Sequence, residues 1–260
     1  MGRIITVANQ KGGVGKTTTS INLSAALRYI SYKVLLIDLD EQVNATMGLG
    51  VDPSLVTLSS YDLLTNNTSI TNMIYHDHKN DLDLIPSSSK LAQVVENMIG
   101  IVNKKTILAG KIKEIKDLYD FIIIDCPPSL GVLVENALYA SDSVLIPVET
   151  HVYALEGLKR IISKVHQIQK LRNLKRESLL VEGILVTKLD NRSAVGYDVL
   201  EQIKQTYSKV LFNTIIEKSS IIEEAAAKGL SVIKSSFNSR GSKGYIDLAN
   251  ELIKRIEERK

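Results

Sequence analysis

Residues 4–18 read IITVANQKGGVGKTT: an apolar run, a glycine-rich turn, and then Lys-Thr-Thr. Ile4 to Val7 predicts a buried strand. Residues 16–30, with Ile21, Leu23, Ala26 and Leu27 at the apolar positions, predict the helix that follows. A glycine turn between strand and helix is the setting of a phosphate loop. Gly12, Gly13, Val14 and Gly15 form the turn, and glycine lets backbone N–H groups close around phosphate oxygens without a Cβ clash. The helix N-terminus adds its dipole. Lys16 is placed to reach the β- and γ-phosphates, Thr17 offers a hard oxygen to Mg²⁺, and Thr18 reaches the α-phosphate. In the pattern GxxxxGK[ST] the first glycine would fall on Gln10, so this loop is the KGGxGKT variant, with a second lysine at Lys11.

Outward from the loop, short apolar runs alternate with helix-length segments. Val34 to Ile37, Leu82 to Ile85, Phe121 to Ile124, Val144 to Val148 and Gly183 to Val186 predict further buried strands, with a short seventh near Val210 to Ile216. Apolar strands between helices indicate a mostly parallel sheet covered on both faces, the α/β doubly wound class. No linker or repeat interrupts the pattern, so residues 1–260 read as a single domain. The stripe Leu155, Leu158, Ile161, Ile162, Val165, Ile168 and Leu171 predicts a core-packed helix over 153–172, and a last helix is expected over about 244–258.

Acidic residues stand at two strand ends, where this fold places ligands. Asp125 follows FIII and suits a Walker-B role, holding Mg²⁺ directly or through water. Asp38 and Asp40 follow VLLI, and one of them can orient an attacking water. Cys126, the only cysteine, reads as a small core residue. Of four histidines, only His76 and His78 are closely spaced, in what reads as a solvated polar loop.

Composition narrows the partners. Residues 151–260 carry 20 Lys+Arg against 13 Asp+Glu, a net of +7, whereas residues 1–150 carry 12 against 16, a net of −4. The second half is therefore suited to a polyanion. Trp is absent and aromatic residues are 5%, which disfavours a stacking platform for single strands. No apolar run approaches the roughly 20 residues of a membrane span. One cysteine and no leader pattern give a cytoplasmic expectation.

The segments VANQKGGVGKTTTSINLSAAL, KVLLIDLDEQVNATMGLG, FIIIDCPPSLGVLVENAL and GYIDLANEL resemble the ParA/Soj family of partition ATPases, in the deviant Walker-A (MinD/ParA) class of P-loop NTPases. The resemblance implies ATP and Mg²⁺ as cofactors and an ATP-dependent homodimer with nucleotide in the interface. It implies that Lys11 reaches the partner's phosphates, that Lys16 and Thr17 act in cis, that Asp40 is needed for slow hydrolysis, and that Asp38 and Asp125 join Thr17 at the metal. It further implies non-specific DNA binding by a nucleoid-associated protein and release stimulated by a ParB-type centromere-binding protein.

Three departures stand out. Glu41 and Val43 replace a proline and a glycine in DxDPQGN. In IEKSSIIEEAAAKG, residues 216–229, Glu217 and Ser219 replace a proline and an asparagine beside the adenine, so contacts there are expected to be mostly backbone. The two DNA-contact arginines of that segment become Lys218 and Ile221. Arg192 matches a retained DNA-contact arginine, and Lys218, Lys234, Arg240 and Lys243 are expected to complete a basic surface.

Two alternatives share the loop: a MinD-like membrane-associated division-site ATPase, and a ParA-like ATPase that positions a protein cargo. The C-terminal LIKRIEERK is a poor membrane helix, so no membrane partner is expected. An enzyme like the nitrogenase iron protein would need two cysteines per subunit. A helix-turn-helix extension is not expected ahead of a strand that starts at residue 3.

Overall fold

The computed structural model describes residues 2–94, 98, 104–173, 178–190 and 192–259. Among these, eight strands form one sheet: β1 (Arg3–Val7), β2 (Val34–Asp38), β3 (Tyr75–Asp77), β4 (Leu82–Ile85), β5 (Phe121–Asp125), β6 (Ser143–Glu149), β7 (Leu180–Leu189) and β8 (Leu211–Glu217). Their order is β3-β4-β2-β5-β1-β6-β7-β8, parallel throughout except that β3 runs antiparallel to β4.

The strands are apolar on successive residues because both faces are covered. Ile4, Leu35, Ile37, Ile122 and Ile124 enter one core layer, while Ile5, Val7, Leu36, Phe121 and Ile123 enter the other. Alternation along a strand thus feeds two cores instead of one core and solvent. Helices α1 (Lys16–Tyr29), α2 (Asn44–Gly48), α3 (Ser60–Thr65), α4 (Ile107–Ile112), α5 (Val132–Ala140), α6 (Ala154–Asn173), α7 (Ala194–Tyr207), α8 (Ser220–Ala227), α9 (Val232–Ser235) and α10 (Arg240–Glu257) supply the covering layers. On the α6 stripe, Leu158, Ile161, Val165 and Ile168 are buried, but Leu171 is exposed.

Two expectations are corrected here. His76 lies on the edge strand β3, bonded through Nδ1 to Asp83 at 2.7 Å and edge-on to the His78 ring, and not in a free loop. The last helix starts at Arg240, four residues earlier than its apolar pattern suggests. Ser239 caps it by accepting from the Ser242 N–H, and a Cβ at Gly241 would come within 2.7 Å of Ile222, so glycine is required by close approach. Tyr245, Leu248, Ala249 and Leu252 of α10 are buried in the core layer that also holds α1. Cys126 is buried as expected, and burial pushes its thiol well above the ordinary range.

Candidate nucleotide-binding site

The loop between β1 and α1 is held open by backbone geometry. Gly13 and Gly15 have φ of 77° and 80°, the left-handed region open to glycine. The loop is also tied to the sheet. Asn9 Nδ2 donates to Pro147 O at 2.7 Å and Asn9 Oδ1 accepts from the Lys11 N–H. Thr187 Oγ1, on β7, donates to Val14 O at 2.9 Å. Strands β6 and β7 therefore fix the glycine turn that follows β1.

This loop forms one wall of a cleft of about 370 Å³ lined by Gly12, Gly13, Gly15, Lys16, Thr17, Thr18 and Asp40. Lys16 is buried, and its Nζ donates to Lys11 O at 3.1 Å. Burial lowers its pKa, against the attraction of Asp125, the Cys126 thiol and Asp40. Lys11 is exposed, and its Nζ meets His151 Nε2.

Three aspartates gather at the strand ends. Asp38 is fully buried; its Oδ2 accepts from the Thr46 N–H and hydroxyl at 2.9 and 2.7 Å, and its Oδ1 from the Asp40 N–H. Burial raises it to about 6 despite these bonds. Asp125 is raised to about 7, first by burial and then by the Asp38 charge, with the Thr17 and Ser20 hydroxyls opposing. Ser20 Oγ donates to Asp125 Oδ1 at 2.8 Å, while Asp125 Oδ2 is buried with no hydrogen-bond partner. A buried carboxylate oxygen without a donor, next to a second buried carboxylate, is a place that a cation relieves. Asp40 is 3% exposed, and its Oδ1 accepts from the Gln42 N–H.

The structure thus brings Gly12, Gly13, Gly15, Lys16, Thr17, Thr18 and Asp40 into one cleft, with Val14 buried beneath the loop. Glu217 and Ser219 are not among its lining residues. They border an adjoining hollow of about 550 Å³ together with Lys218, Ile221, Arg240 and Lys243. The backbone links their walls: the Lys218 N–H donates to Leu189 O, and the neighbouring Lys188 lines the cleft. Lys234 stands apart on α9, and exposed Arg192 folds onto Asp190 at 3.3 Å. Several residues were invisible to sequence reasoning: Ser20, Thr46, Thr187 and His151 are ordinary letters until the fold sets them against the loop and the aspartates.

A family profile described as an AAA domain matches residues 2–180. The sporulation initiation inhibitor protein Soj of Bacillus subtilis (strain 168) is 42% identical, over 97% of this chain and 98% of its own length. The chromosome-partitioning ATPase Soj of Treponema pallidum (strain Nichols) is 36% identical over the whole of both chains. Among solved structures, a cobyrinic acid a,c-diamide synthase from Mycobacterium smegmatis, bound to an ATP analogue and magnesium, superposes with a TM-score of 0.86 at 28% identity. The match covers 100% of this chain and 98% of that one.

Proposed function

Because the chain belongs to the ParA/Soj family of P-loop partition ATPases, we propose that it is a Mg²⁺-ATP-driven switch. It dimerises around nucleotide, binds DNA without sequence preference, and lets go after slow hydrolysis. The observation that carries this reading is the pair of lysines on one loop. Lys16 is buried in the cleft of its own subunit, whereas Lys11 is exposed on the same loop, its ammonium on His151 and clear of that cleft's lining.

The loop N–H groups of Gly12, Gly13, Val14 and Gly15 cradle the phosphates, Lys16 offsets charge on the β- and γ-oxygens, and Thr18 holds the α-phosphate. The base lies toward the backbone of Glu217 and Ser219, beyond Lys188. Among the described residues no three His, Cys, Asp or Glu side chains converge as a complete cage. Mg²⁺ uses one or two carboxylates and keeps water and phosphate as its other ligands. Thr17 and the unpartnered Asp125 Oδ2 fit it, with Asp38 behind them. Bound there, Mg²⁺ would supply positive charge to the β- and γ-phosphate oxygens. Asp40 orients the attacking water, and Lys11 of one subunit stabilises charge developing on the partner's nucleotide.

Lys218, Arg240 and Lys243 around one hollow, with Arg192 and Lys234 further out, form the proposed DNA surface. A ParB-type protein is the proposed stimulator, and the nucleoid the proposed location. No described helix is long and apolar enough to cross a membrane. The apolar residues Tyr245, Leu248, Ala249 and Leu252 of α10 are buried in the protein's own core. Sedimentation velocity tests the switch. Wild-type protein should dimerise with ATP, Lys16→Ala should fail to bind ATP, and Lys11→Ala should bind ATP yet stay monomeric. A Lys11→Ala protein that dimerises normally would refute the cross-subunit assignment.

A further inference from the structure

The contact between Lys11 and His151 has no part in the reading above. His151 lies in the turn between β6 and α6, and its ring faces two donors. The Tyr153 N–H points at Nδ1 at 3.1 Å, and the Lys11 ammonium meets Nε2. A neutral imidazole carries one acceptor nitrogen. It can accept from Lys11 or from Tyr153, but not from both. The bond to Lys11 is therefore contested from within its own turn, and a protonated ring cannot make it at all.

Lys11 also has room to leave. It is exposed, and Gly12 and Gly13 beside it have open space where a Cβ would stand. The charged groups around the ring are few. Glu149 ends β6, while Glu156 and Arg160 of α6 border a shallow pocket with Gln10, Lys11 and Tyr153. Burial first, and then the Lys11 charge, lower the His151 pKa below its ordinary 6.5, with Glu149 opposing. The ring is thus neutral near pH 7 and holds Lys11 as an acceptor.

We propose that His151 is a positioning residue that holds the Lys11 ammonium against its own subunit and releases it when the loop meets a second copy. This rests on the cross-subunit role of Lys11. Release is made easy by the competing Tyr153 amide and easier still by protonation of the ring.

The test has two arms on the full chain. In the first, the His151 ring is titrated by NMR in nucleotide-free wild type and Lys11→Ala, with His151→Ala identifying its resonance. Removing the Lys11 charge should raise the ring's pKa; identical titration in both proteins would overturn the proposal. In the second, ATP-dependent dimerisation is measured at pH 8 and pH 6 for wild type, His151→Ala and His151→Glu. Wild type should dimerise more tightly at pH 6, and His151→Ala should lose that difference. His151→Glu, which pairs with Lys11 at either pH, should weaken dimerisation by about two- to fivefold, the worth of an exposed ion pair. A pH response unchanged in His151→Ala would also overturn the proposal. If the NMR shift appears but Lys11→Ala dimerises normally, the cross-subunit reading fails instead.

Discussion

Asp38 accepts three hydrogen bonds, and two of them come from one residue, Thr46. The Thr46 hydroxyl also accepts from the Ser87 N–H at 2.9 Å. Thr46→Val keeps the shape but removes that hydroxyl from two buried partners. An unsatisfied buried polar group costs about 1–3 kcal/mol, so thermal denaturation should show a loss in that range, with the fold retained. The same strand end explains Val43. Its φ is 59°, a conformation that favours glycine. A left-handed non-glycine residue costs roughly 1–2 kcal/mol. Burying a valine side chain contributes about 1.5–3 kcal/mol, and Val43 is only 6% exposed. Burial is the larger effect, which is how valine holds a left-handed backbone here. From sequence, Asp38, Asp40 and Asp125 stood out because acids at strand ends are rare enough to notice. Thr46 and Ser20 did not, because a threonine or serine inside a helix has no pattern that marks its partner.

At the scale of elements, α10 is fixed to β8 by one carboxylate. Glu251 accepts from the Asn213 and Thr214 N–H groups, each at 2.8 Å, and pairs with Arg255 at 2.7 Å. Burial alone would raise its pKa, but these donors hold it below the ordinary 4.5. The sign follows: a carboxylate depressed in the folded state stabilises fully above its unfolded pKa, and that stability is lost as pH falls through the folded value. Urea denaturation of wild type and Glu251→Gln should differ most near pH 7 and converge below pH 4.5. An unchanging difference would mean that Glu251 acts by shape alone. The strands with apolar runs were legible because burial on both faces leaves no other reading. The strand β3 was not, since two exposed residues and one buried aspartate at a sheet edge carry no apolar periodicity. The start of α10 was hidden by Gly241 and Gly244, which count against a helix in sequence, although packing against Ile222 demands the first of them.

For the whole molecule, the fold sorts its charges. Acids concentrate on the first half of the sheet, where Asp38 and Asp125 meet the phosphate loop, and the basic excess of residues 151–260 includes the Lys218, Arg240 and Lys243 hollow. Ile221, 38% exposed, lines that hollow as an apolar residue among its cations. The charge asymmetry was visible in the sequence; which cations share a surface was not, because Lys218 follows β8 while Arg240 and Lys243 stand on α10, further along the chain. Binding through such a surface is dominated by phosphate neutralisation and weakens steeply with salt, with a slope of roughly −0.9 per phosphate contact. The most direct test is duplex DNA binding by Asp40→Ala, which should hold the ATP dimer, with ATP, with ADP and without nucleotide across a salt series. The account predicts binding with ATP only, the same for unrelated sequences and falling steeply as salt rises. A confirmed ATP dimer with no affinity for DNA at low salt would contradict it.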